Sequence, residues 1–588
     1  MRRPVFAHPV PLLLIAAAWL SGCAVDTEPA ESIPQFDVTL GAVTTSCGGA
    51  AKNPLAEIKT LKLVVRGPND AGELVNLGDT KTQAFSSGQS QITFKDVPAG
   101  SPREITLLGY KSGSTSPVWF ARKSGLNIQK TKTIPLDLTL MALEGFTCLG
   151  QASVAPIPNV VFPTTTRMAD GKVLIAGGFA NAAKAADGTY TLEAPSDTAY
   201  VFDPGTGKFD TVKTKMIARR AAHSAIYLPQ LNQVLLVGGA TKMKVAPNLP
   251  PTWTATDGVN PPYEIYDVAT GTFLAGANPQ NAKKRVFPNL LRLSDDYVAS
   301  VGGAPWPVAD FAAYSQSDLF SKAEKDFVDI GGALPAVAVR GGSAVAEMGP
   351  TDEGTARYLI WGGNVQRSTD KAVGPVAEAF HESLALGTGA FDASFTFSGD
   401  FDSKTVLMFP TLTFLGTGTN AKNDWTDLAE GTRKVDRLLS VGGIRWDTGA
   451  QKWLAPGVND AYLLTVLPST PTTKARIAVK KVSGLKGGLY LHQASAVGAN
   501  HVLFTGGFGN FAAAPETLAM QAFDIKASKF LADSAIPAVS DFVPRAGHSG
   551  LVLPNDCVLM FGGVDAFSSL NGAGAALSDI YCPKLLVP

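Results

Sequence analysis

Seven short apolar runs along the chain each end on a pair of glycines. Among them are KVLIAGG (172–178), QVLLVGG (233–239) and VLMFGG (558–563). Each run is rich in Val, Ile and Leu, as is typical of a buried strand, and glycine ends it because glycine adopts backbone conformations closed to other residues. Successive pairs lie 61, 64, 60, 80, 64 and 56 residues apart. A loose period near 60 residues predicts a series of similar supersecondary units. The glycines of these pairs are Gly177, Gly178, Gly238, Gly239, Gly302, Gly303, Gly362, Gly363, Gly442, Gly443, Gly506, Gly507, Gly562 and Gly563.

A second pattern follows five of the glycine pairs. An apolar or aromatic residue is followed seven positions later by Phe, with turn-forming residues between them. Two anchored ends around a turn-rich centre predict a β-hairpin. A complete unit is then one strand, a second strand ending in Gly-Gly, and a hairpin of two more strands. The segments are VFDPGTGKF (201–209), IYDVATGTF (265–273), LFSKAEKDF (319–327), LALGTGAF (384–391) and AFDIKASKF (522–530).

A third pattern precedes the glycine pairs. RAAHS (220–224) and RAGHS (545–549) place His223 and His548 15 and 14 residues before their pairs, and His492 lies 14 before its own. Histidines that recur at one repeat position are predicted to be scaffold residues rather than catalytic residues or metal ligands.

Arginines lie three residues before the repeat-histidine position in four units, at Arg220, Arg285, Arg340 and Arg545. Two interpretations stay open. The guanidinium groups could ring the mouth of a central channel and bind carboxylate or other anionic groups of a ligand. Alternatively, each arginine hydrogen-bonds to backbone between neighbouring units.

The combination R-x-x-H-S, VLxxGG and YDxxTxxF, found over residues 151–588, resembles the kelch repeat, and the corresponding propeller domain is expected over residues 149–588. The resemblance implies an all-β fold, a kelch-like β-propeller, with seven blades as the expected number. Six blades with an insertion is the alternative, because the fifth unit is 80 residues long and has no clear hairpin. The chain ends where the outer strand of the seventh blade should begin, and we expect residues 151–162 to supply that strand.

Residues 35–148 precede the repeats and show a different pattern. FDVTL (36–40), LKLVVRG (61–67), QITFK (91–95), REITLLGY (103–110) and TIPLDLTL (133–140) are strand-like runs separated by turn residues. They predict a β-sandwich of about six or seven strands. FKDVPAG followed by REITLLGY resembles strand pairs of carboxypeptidase-regulatory-like and prealbumin-like sandwich domains, which implies a spacer or binding module.

The first residues indicate export. Arg2 and Arg3 precede a short apolar stretch, and Leu20-Ser21-Gly22-Cys23 resembles the lipobox of bacterial lipoproteins. The resemblance implies a signal peptide over 1–22, lipidation of Cys23 and a tether over 23–34. Because Ala24 rather than Asp follows the cysteine, we expect an outer-membrane lipoprotein, facing the periplasm or the cell surface. An ordinary signal peptide with a chance cysteine is the alternative.

Four further cysteines are predicted to form two disulfides, since exported proteins meet oxidising conditions. Proximity within the proposed domains pairs Cys47 with Cys148 and Cys557 with Cys582. The second bond would join the second and third strands of the last blade. Free thiols or a metal site are the alternatives.

Charge and motifs narrow the function. Fifty acidic residues balance fifty basic ones, so no overall field would attract nucleic acid. No catalytic motif, cofactor or metal site is predicted from the sequence. The first hypothesis is therefore a lipid-anchored cell-envelope protein that displays loops and a channel mouth to a protein or glycan partner. The alternative is a carbohydrate-active enzyme, resembling copper oxidases of the galactose oxidase type or bacterial sialic-acid mutarotases.

Overall fold

The computed structural model of the chain describes residues 34–43, 53–70, 72–130, 132–149, 157–246, 249–293, 297–305, 317–328, 340–349, 356–364, 377–382, 389–392, 396–400, 406–419, 434–447, 452–454, 461–467, 476–509, 520–532, 543–572 and 577–587. The predicted signal peptide and most of the tether, including Cys23, lie outside these residues. The N-terminal part contains β1 (Gln35–Ala42), the helix α1 (Pro54–Glu57), β2 (Thr60–Pro68), β3 (Leu74–Asn76), β4 (Lys81–Ala84), β5 (Gln91–Lys95), β6 (Gly100–Tyr110), β7 (Trp119–Ile128), β8 (Thr133–Ala142) and β9 (Phe146–Cys148).

The strands of the repeat region follow in chain order. They are β10 (Thr164–Arg167), β11 (Val173–Ala176), β12 (Phe179–Lys184), β13 (Tyr190–Pro195), β14 (Ala199–Asp203), β15 (Lys208–Thr211), β16 (Ser224–Leu228), β17 (Gln233–Val237), β18 (Met243–Ala246), β19 (Leu249–Thr252), β20 (Tyr263–Asp267), β21 (Thr272–Ala275), β22 (Asn289–Arg292), β23 (Tyr297–Val301), β24 (Asp318–Ser321), β25 (Asp326–Val328), β26 (Gly341–Glu347), β27 (Arg357–Asn364), β28 (Ala377–Glu382), β29 (Gly389–Asp392), β30 (Thr396–Gly399), β31 (Val406–Met408), β32 (Thr411–Thr419), β33 (Lys434–Val441), β34 (Ile444–Asp447), β35 (Lys452–Leu454), β36 (Ala461–Leu467), β37 (Arg476–Lys481), β38 (Gln493–Val497), β39 (His501–Thr505), β40 (Gln521–Asp524), β41 (Lys529–Phe530), β42 (Ser549–Val552), β43 (Val558–Phe561) and β44 (Ser578–Tyr581). Short 3-10 helices lie at Ala255–Asp257, Pro279–Asn281, Phe567–Ser569 and Lys584–Leu586.

The N-terminal domain is the predicted β-sandwich. Its eight strands form one curled path, β3-β2-β6-β7-β8-β1-β5, with β4 also paired to β2. Alternation along β1 shows why it curls around a core: Phe36, Val38 and Leu40 are buried, while Asp37 and Thr39 face solvent. The core lies between the layer β2, β6 and β7 and the layer β8, β1 and β5.

The repeat region is a propeller of seven blades. Six blades lie within it as β10-β11-β14-β15, β16-β17-β20-β21, β22-β23-β24-β25, β26-β27-β28-β29, β32-β33-β36-β37 and β38-β39-β40-β41, and the seventh is β42-β43-β44-β9. The first strands touch in turn, from β10 through β16, β22, β26, β32, β38 and β42 and back to β10. The ring is therefore closed, and the prediction of seven blades is confirmed.

The fourth and fifth blades differ from the predicted hairpins. In the fourth, β28 pairs with β29 so that Phe391 lies opposite Phe380, which makes the hairpin longer than the predicted segment 384–391. The fifth is complete, because β36 and β37 supply the hairpin that no sequence pattern indicated. β30 adds a parallel strand at its edge.

The outer strand of the seventh blade comes from β9. Thr147 lies opposite Ile580, and Phe146 lies opposite Tyr581. The expectation that residues 151–162 supply this strand is wrong, and three residues assigned to the end of the sandwich belong to a propeller sheet. Ring closure therefore uses the segment that directly joins the two domains.

A disulfide of the seventh blade and an apolar cluster lie at this junction. Cys557 and Cys582 are disulfide-bonded beside the β43–β44 pair, as predicted. Cys148 is also disulfide-bonded, while its predicted partner Cys47 lies outside the described residues. One apolar cluster contains Phe120 of the sandwich and Tyr581 of the propeller, so the domains share a core.

Candidate functional site

The glycine pairs join each blade to the next. Gly238, at the end of β17, has a φ of +75°, and a Cβ there would lie 2.3 Å from the carbonyl oxygen of Arg285 in the third blade. The amide of Gly239 donates a hydrogen bond of 2.7 Å to that same oxygen. Gly178 and Arg220 repeat the bond at 3.0 Å. The space that a side chain would need is occupied by the neighbouring blade, which explains the repeated glycines.

All four candidate arginines lie inside the protein. Arg220, Arg285, Arg340 and Arg545 are exposed by 0, 0, 1 and 0%. Nη1 of Arg220 donates to the carbonyl of Gly238 at 2.7 Å. The equivalent bonds join Arg285 to Gly302 at 2.6 Å and Arg340 to Gly362 at 2.5 Å. The arginine therefore braces the glycine corner of its own blade.

Buried carboxylates compensate three of these guanidinium charges. Arg220 lies 2.7 Å from Glu264, and Nε of Arg285 donates to Asp318 at 2.8 Å. Arg545 pairs with Asp579. Burial lowers the pKa of Arg220, which Glu264 opposes, and burial raises the pKa of Asp579, which Arg545 opposes. Without its partner, each of these charges would destabilise the fold, because the interior excludes the water that would otherwise solvate it.

These carboxylates were not predicted from the sequence, although the sequence carries a signal for them. Glu264, Asp318 and Asp579 each lie two residues before the aromatic that begins the hairpin pattern, and the fourth unit has Glu378 at the same position, opposite Ile360. The units without an arginine have Tyr200, Tyr462 and Gln521 there. Acid and arginine therefore occur in the same four units.

This geometry favours the second interpretation of the arginines. Their side chains donate to backbone and to buried carboxylates within the blades, and none is open to solvent at a channel mouth. They are placed as structural groups between strands. An anionic ligand would have to displace a buried carboxylate to reach Arg220, Arg285 or Arg545.

The repeat histidines are braces between blades. Nε2 of His223 lies 2.8 Å from Oγ1 of Thr164 in the first blade, and Nε2 of His492 lies 3.0 Å from Oγ1 of Thr411 in the fifth. His548 makes a 3.0 Å contact with Thr505. Burial lowers the pKa of His492 to about 3, and it lowers the pKa of His223 and His548 well below the usual range. The rings are therefore neutral at physiological pH.

Aromatic rings fill the axis at the glycine end of the propeller. We call Phe162, Phe287 and Phe409 the axial cluster. Phe287 makes edge-to-face contacts with the other two rings, at centroid distances of 5.2 and 5.3 Å. Glycine at 342 and 547, the equivalent positions of two other blades, leaves room for them, since a Cβ would lie 2.9 Å from the Phe409 ring and 3.1 Å from the Phe162 ring.

Two added sheets cover this filled axis. Strands β12, β13, β18 and β19 form one sheet from insertions after the glycine pairs of the first two blades, and β31, β34 and β35 form another at the fifth. We call these seven strands the cap. β19 touches β35, and Trp453 of the cap shares an apolar cluster with Phe162 and with Trp253, the residue directly after β19. At this end the propeller therefore presents the cap rather than an open channel.

The described part of the chain offers no group of three or more His, Cys, Asp or Glu side chains placed to hold a metal ion. The same residues include no helix with the length and apolar character that a membrane span requires.

Comparison with known proteins shows remote likenesses alone. No protein-family model matches the sequence, and no curated protein is significantly similar to it. Solved structures that resemble it include a fungal alcohol oxidase of the AA5 family in complex with copper, at 11% identity, 82% coverage of this chain, 73% coverage of that chain and a TM-score of 0.31. The protein YjhT is 11% identical, with 73% and 96% coverage and a TM-score of 0.31. A protein of unknown function from Dyadobacter fermentans is 10% identical, with 72% and 96% coverage and a TM-score of 0.31. Similarity of this degree says nothing about what the chain binds or catalyses.

Proposed function

We propose that this chain is a lipid-anchored binding protein of the bacterial cell envelope, and that its cap meets a protein or glycan partner. The observation that carries the proposal is the cap itself. Seven strands in insertions after the glycine pairs or before a blade build a layer that the closed ring does not need. Recognition commonly resides in such insertions on a rigid scaffold.

The cap has an inner and an outer side, which supports a role in recognition. Leu192, Met243 and Val245 are buried against the propeller. Lys244 lies between two of these residues and is exposed, and Thr191 lies opposite it in the paired strand. The outer side therefore offers a positive charge and a hydroxyl group, which can form hydrogen bonds with a glycan or a protein.

Variants on the two sides of the propeller test the cap. The mature chain without its lipid would be screened on a glycan array, and a photo-crosslinking residue at position 244 would be used in intact cells. A matched control at Lys208 lies on an edge strand of the first blade, away from the cap. We expect a discrete glycan ligand that is lost in Thr191→Arg/Lys244→Glu and kept in Lys208→Glu, or a cross-link from position 244 that is lost when Thr191→Arg is added and kept when Lys208→Glu is added. Equal behaviour of both variants, or binding to nothing in either assay, would contradict the cap as the site.

The anchor has a separate test. With Cys23 as the acceptor, radiolabelled fatty acid should enter the chain and the protein should fractionate with outer membranes. Cys23→Ser should abolish the label, whereas substitution of the buried Cys557 should leave it. Labelling that survives Cys23→Ser would contradict the anchor without affecting the cap.

A further inference from the structure

A basic cleft lies between the fifth and sixth blades. Its volume is about 340 Å³, and its walls come from β33, β36 and the end of β37 on one side and from the turn between β40 and β41 on the other. Five basic side chains line it: Arg437, Lys480, Lys481, Lys526 and Lys529. The four lysines are exposed and Arg437 is half-buried. The cleft is separate from the cap and from the axial cluster.

No acidic side chain is among the described residues that line this cleft. Three acids lie close to the lining residues in sequence or in space. Asp524 accepts from the amide of Ala527 at 2.7 Å, Asp400 accepts from the amide of Lys481 at 3.0 Å, and Asp436 pairs with Arg357 at 2.8 Å. The whole chain carries equal numbers of acidic and basic residues. A cleft with four exposed lysines is therefore a local departure from a neutral protein, and it concentrates positive potential between its walls.

The propeller does not require these charges. In the hairpin of the second blade, Ala269 and Thr272 occupy the positions of Lys526 and Lys529. In the first blade the position of Lys526 is Gly205. The hairpins nevertheless have the same register, since Phe523 pairs with Phe530 as Tyr266 pairs with Phe273. Like charges close together destabilise a fold, so their presence here points to a ligand that neutralises them.

We infer that this cleft binds a soluble, sugar-sized ligand that carries at least two phosphate or sulfate groups. Its volume lies at the lower end of the range for small-molecule sites, which suits a monosaccharide or disaccharide rather than a polymer. Lysines from two blades supply point charges on facing walls, to which phosphate or sulfate oxygens can bind. Ser483 and Ser528 add hydroxyl groups at the rim. This site is independent of the cap, so it stands or falls apart from the proposed function.

Calorimetry with the full mature chain tests the inference. Glucose 1,6-bisphosphate is the probe, glucose is the neutral control, and water-soluble short-chain phosphatidylglycerol represents a lipid headgroup. We expect the bisphosphate to bind, with an affinity that falls as salt rises, and glucose not to bind. Binding of phosphatidylglycerol alone, binding of glucose equal to that of the bisphosphate, or no binding would each overturn the inference.

Charge-reversal variants on each wall of the cleft test whether the bisphosphate binds there. Lys526→Glu/Lys529→Glu should weaken binding of the bisphosphate by at least about a hundredfold, because two charge-assisted contacts become repulsive. Lys208→Glu/Lys213→Glu changes the net charge equally on the first blade, where Lys208 corresponds to Lys529, and should leave binding unchanged. Lys480→Glu tests the opposite wall if the double variant fails to fold, and it should also weaken binding. Equal losses in the cleft and control variants would overturn the cleft as the site.

Discussion

Arg220 and Glu264 form an ion pair that is completely enclosed by the second blade. Their nitrogen and oxygen atoms are 2.7 Å apart, and neither side chain is exposed. Glu264 also accepts a 2.6 Å hydrogen bond from the amide of Ile217. The pair thus links the entry to the first strand with the third strand and with the glycine corner at Gly238.

Removal of one partner should expose the cost of burying the other. Arg220→Met leaves the Glu264 carboxylate in the interior without its cation, and we expect the free energy of unfolding to fall by about 3 to 5 kcal/mol. The adjacent Arg219 is 65% exposed and lies 3.5 Å from Asp197, so Arg219→Met should cost less than about 1 kcal/mol. Urea denaturation would measure both.

The double variant Arg220→Met/Glu264→Leu should be more stable than Arg220→Met, because it no longer buries a carboxylate without its cation. Equal losses in Arg219→Met and Arg220→Met would show that the buried pair does not brace the blade.

The glycine corners predict a second difference in stability. Gly238→Ala would place a Cβ 2.3 Å from the carbonyl oxygen of Arg285, in addition to the cost of a positive φ. We expect a loss of about 3 kcal/mol or more in the free energy of unfolding. Gly188 is the control, since its φ is +85° but no atom lies within 4 Å of its Cβ position. Gly188→Ala should cost only about 1 to 2 kcal/mol. If the two variants lose the same stability, contact between blades is not the reason for glycine at 238.

The buried histidines make stability depend on pH. The pKa of His492 is lowered by burial from 6.5 to about 3, so between these values the unfolded chain binds a proton that the native protein does not. The contribution of a neutral buried histidine to the free energy of unfolding is therefore fully present above about pH 6.5. It is lost as the pH drops towards 3, by up to about 1.4 kcal/mol per pH unit for each such histidine.

Unfolding of His492→Gln at pH 7 and pH 5 tests this dependence. The variant should be less stable than the wild type at pH 7, because the contact with Thr411 is altered. Its stability should nevertheless fall less on going to pH 5, since one proton-binding group is gone. Parallel losses in both proteins would assign the acid sensitivity to other groups.

The β9 strand predicts that the domains remain joined after cleavage between them. A specific protease site placed within 151–156 would separate the N-terminal piece from the propeller in sequence. The pieces should still elute as one species from a sizing column, because β9 stays paired with β44. Arg122 of the sandwich also contacts Asp556 at 2.8 Å and the carbonyl of Leu586. Separation of the pieces under native conditions would mean that these contacts do not hold the junction.

Much of the fold follows from local patterns in the sequence. The run QVLLV is buried along its whole length as β17, and its glycine pair marks the corner where the next blade approaches. Hairpin pairs such as Tyr266 with Phe273 are adjacent in the structure as the spacing predicted. These features depend on residues that are close together in the sequence, so they can be predicted from one amino-acid sequence. The proximity of Cys557 to Cys582 belongs to the same class.

The remaining features of the fold and of the candidate sites depend on contacts between segments that are distant in the sequence. The sequence left open whether Arg220 and Arg545 lie at a channel mouth or bond to backbone between units, whereas the fold placed each against a carboxylate on the third strand of its own blade. The closing strand came from Phe146–Cys148 because that segment emerges beside β44, a position that only ring closure defines. The axial cluster and the cleft at Lys480 and Lys526 likewise join residues from separate blades. Strand and turn formation are governed by local conformational preference, whereas charge pairing, axis filling and clefts depend on which blades closure brings together.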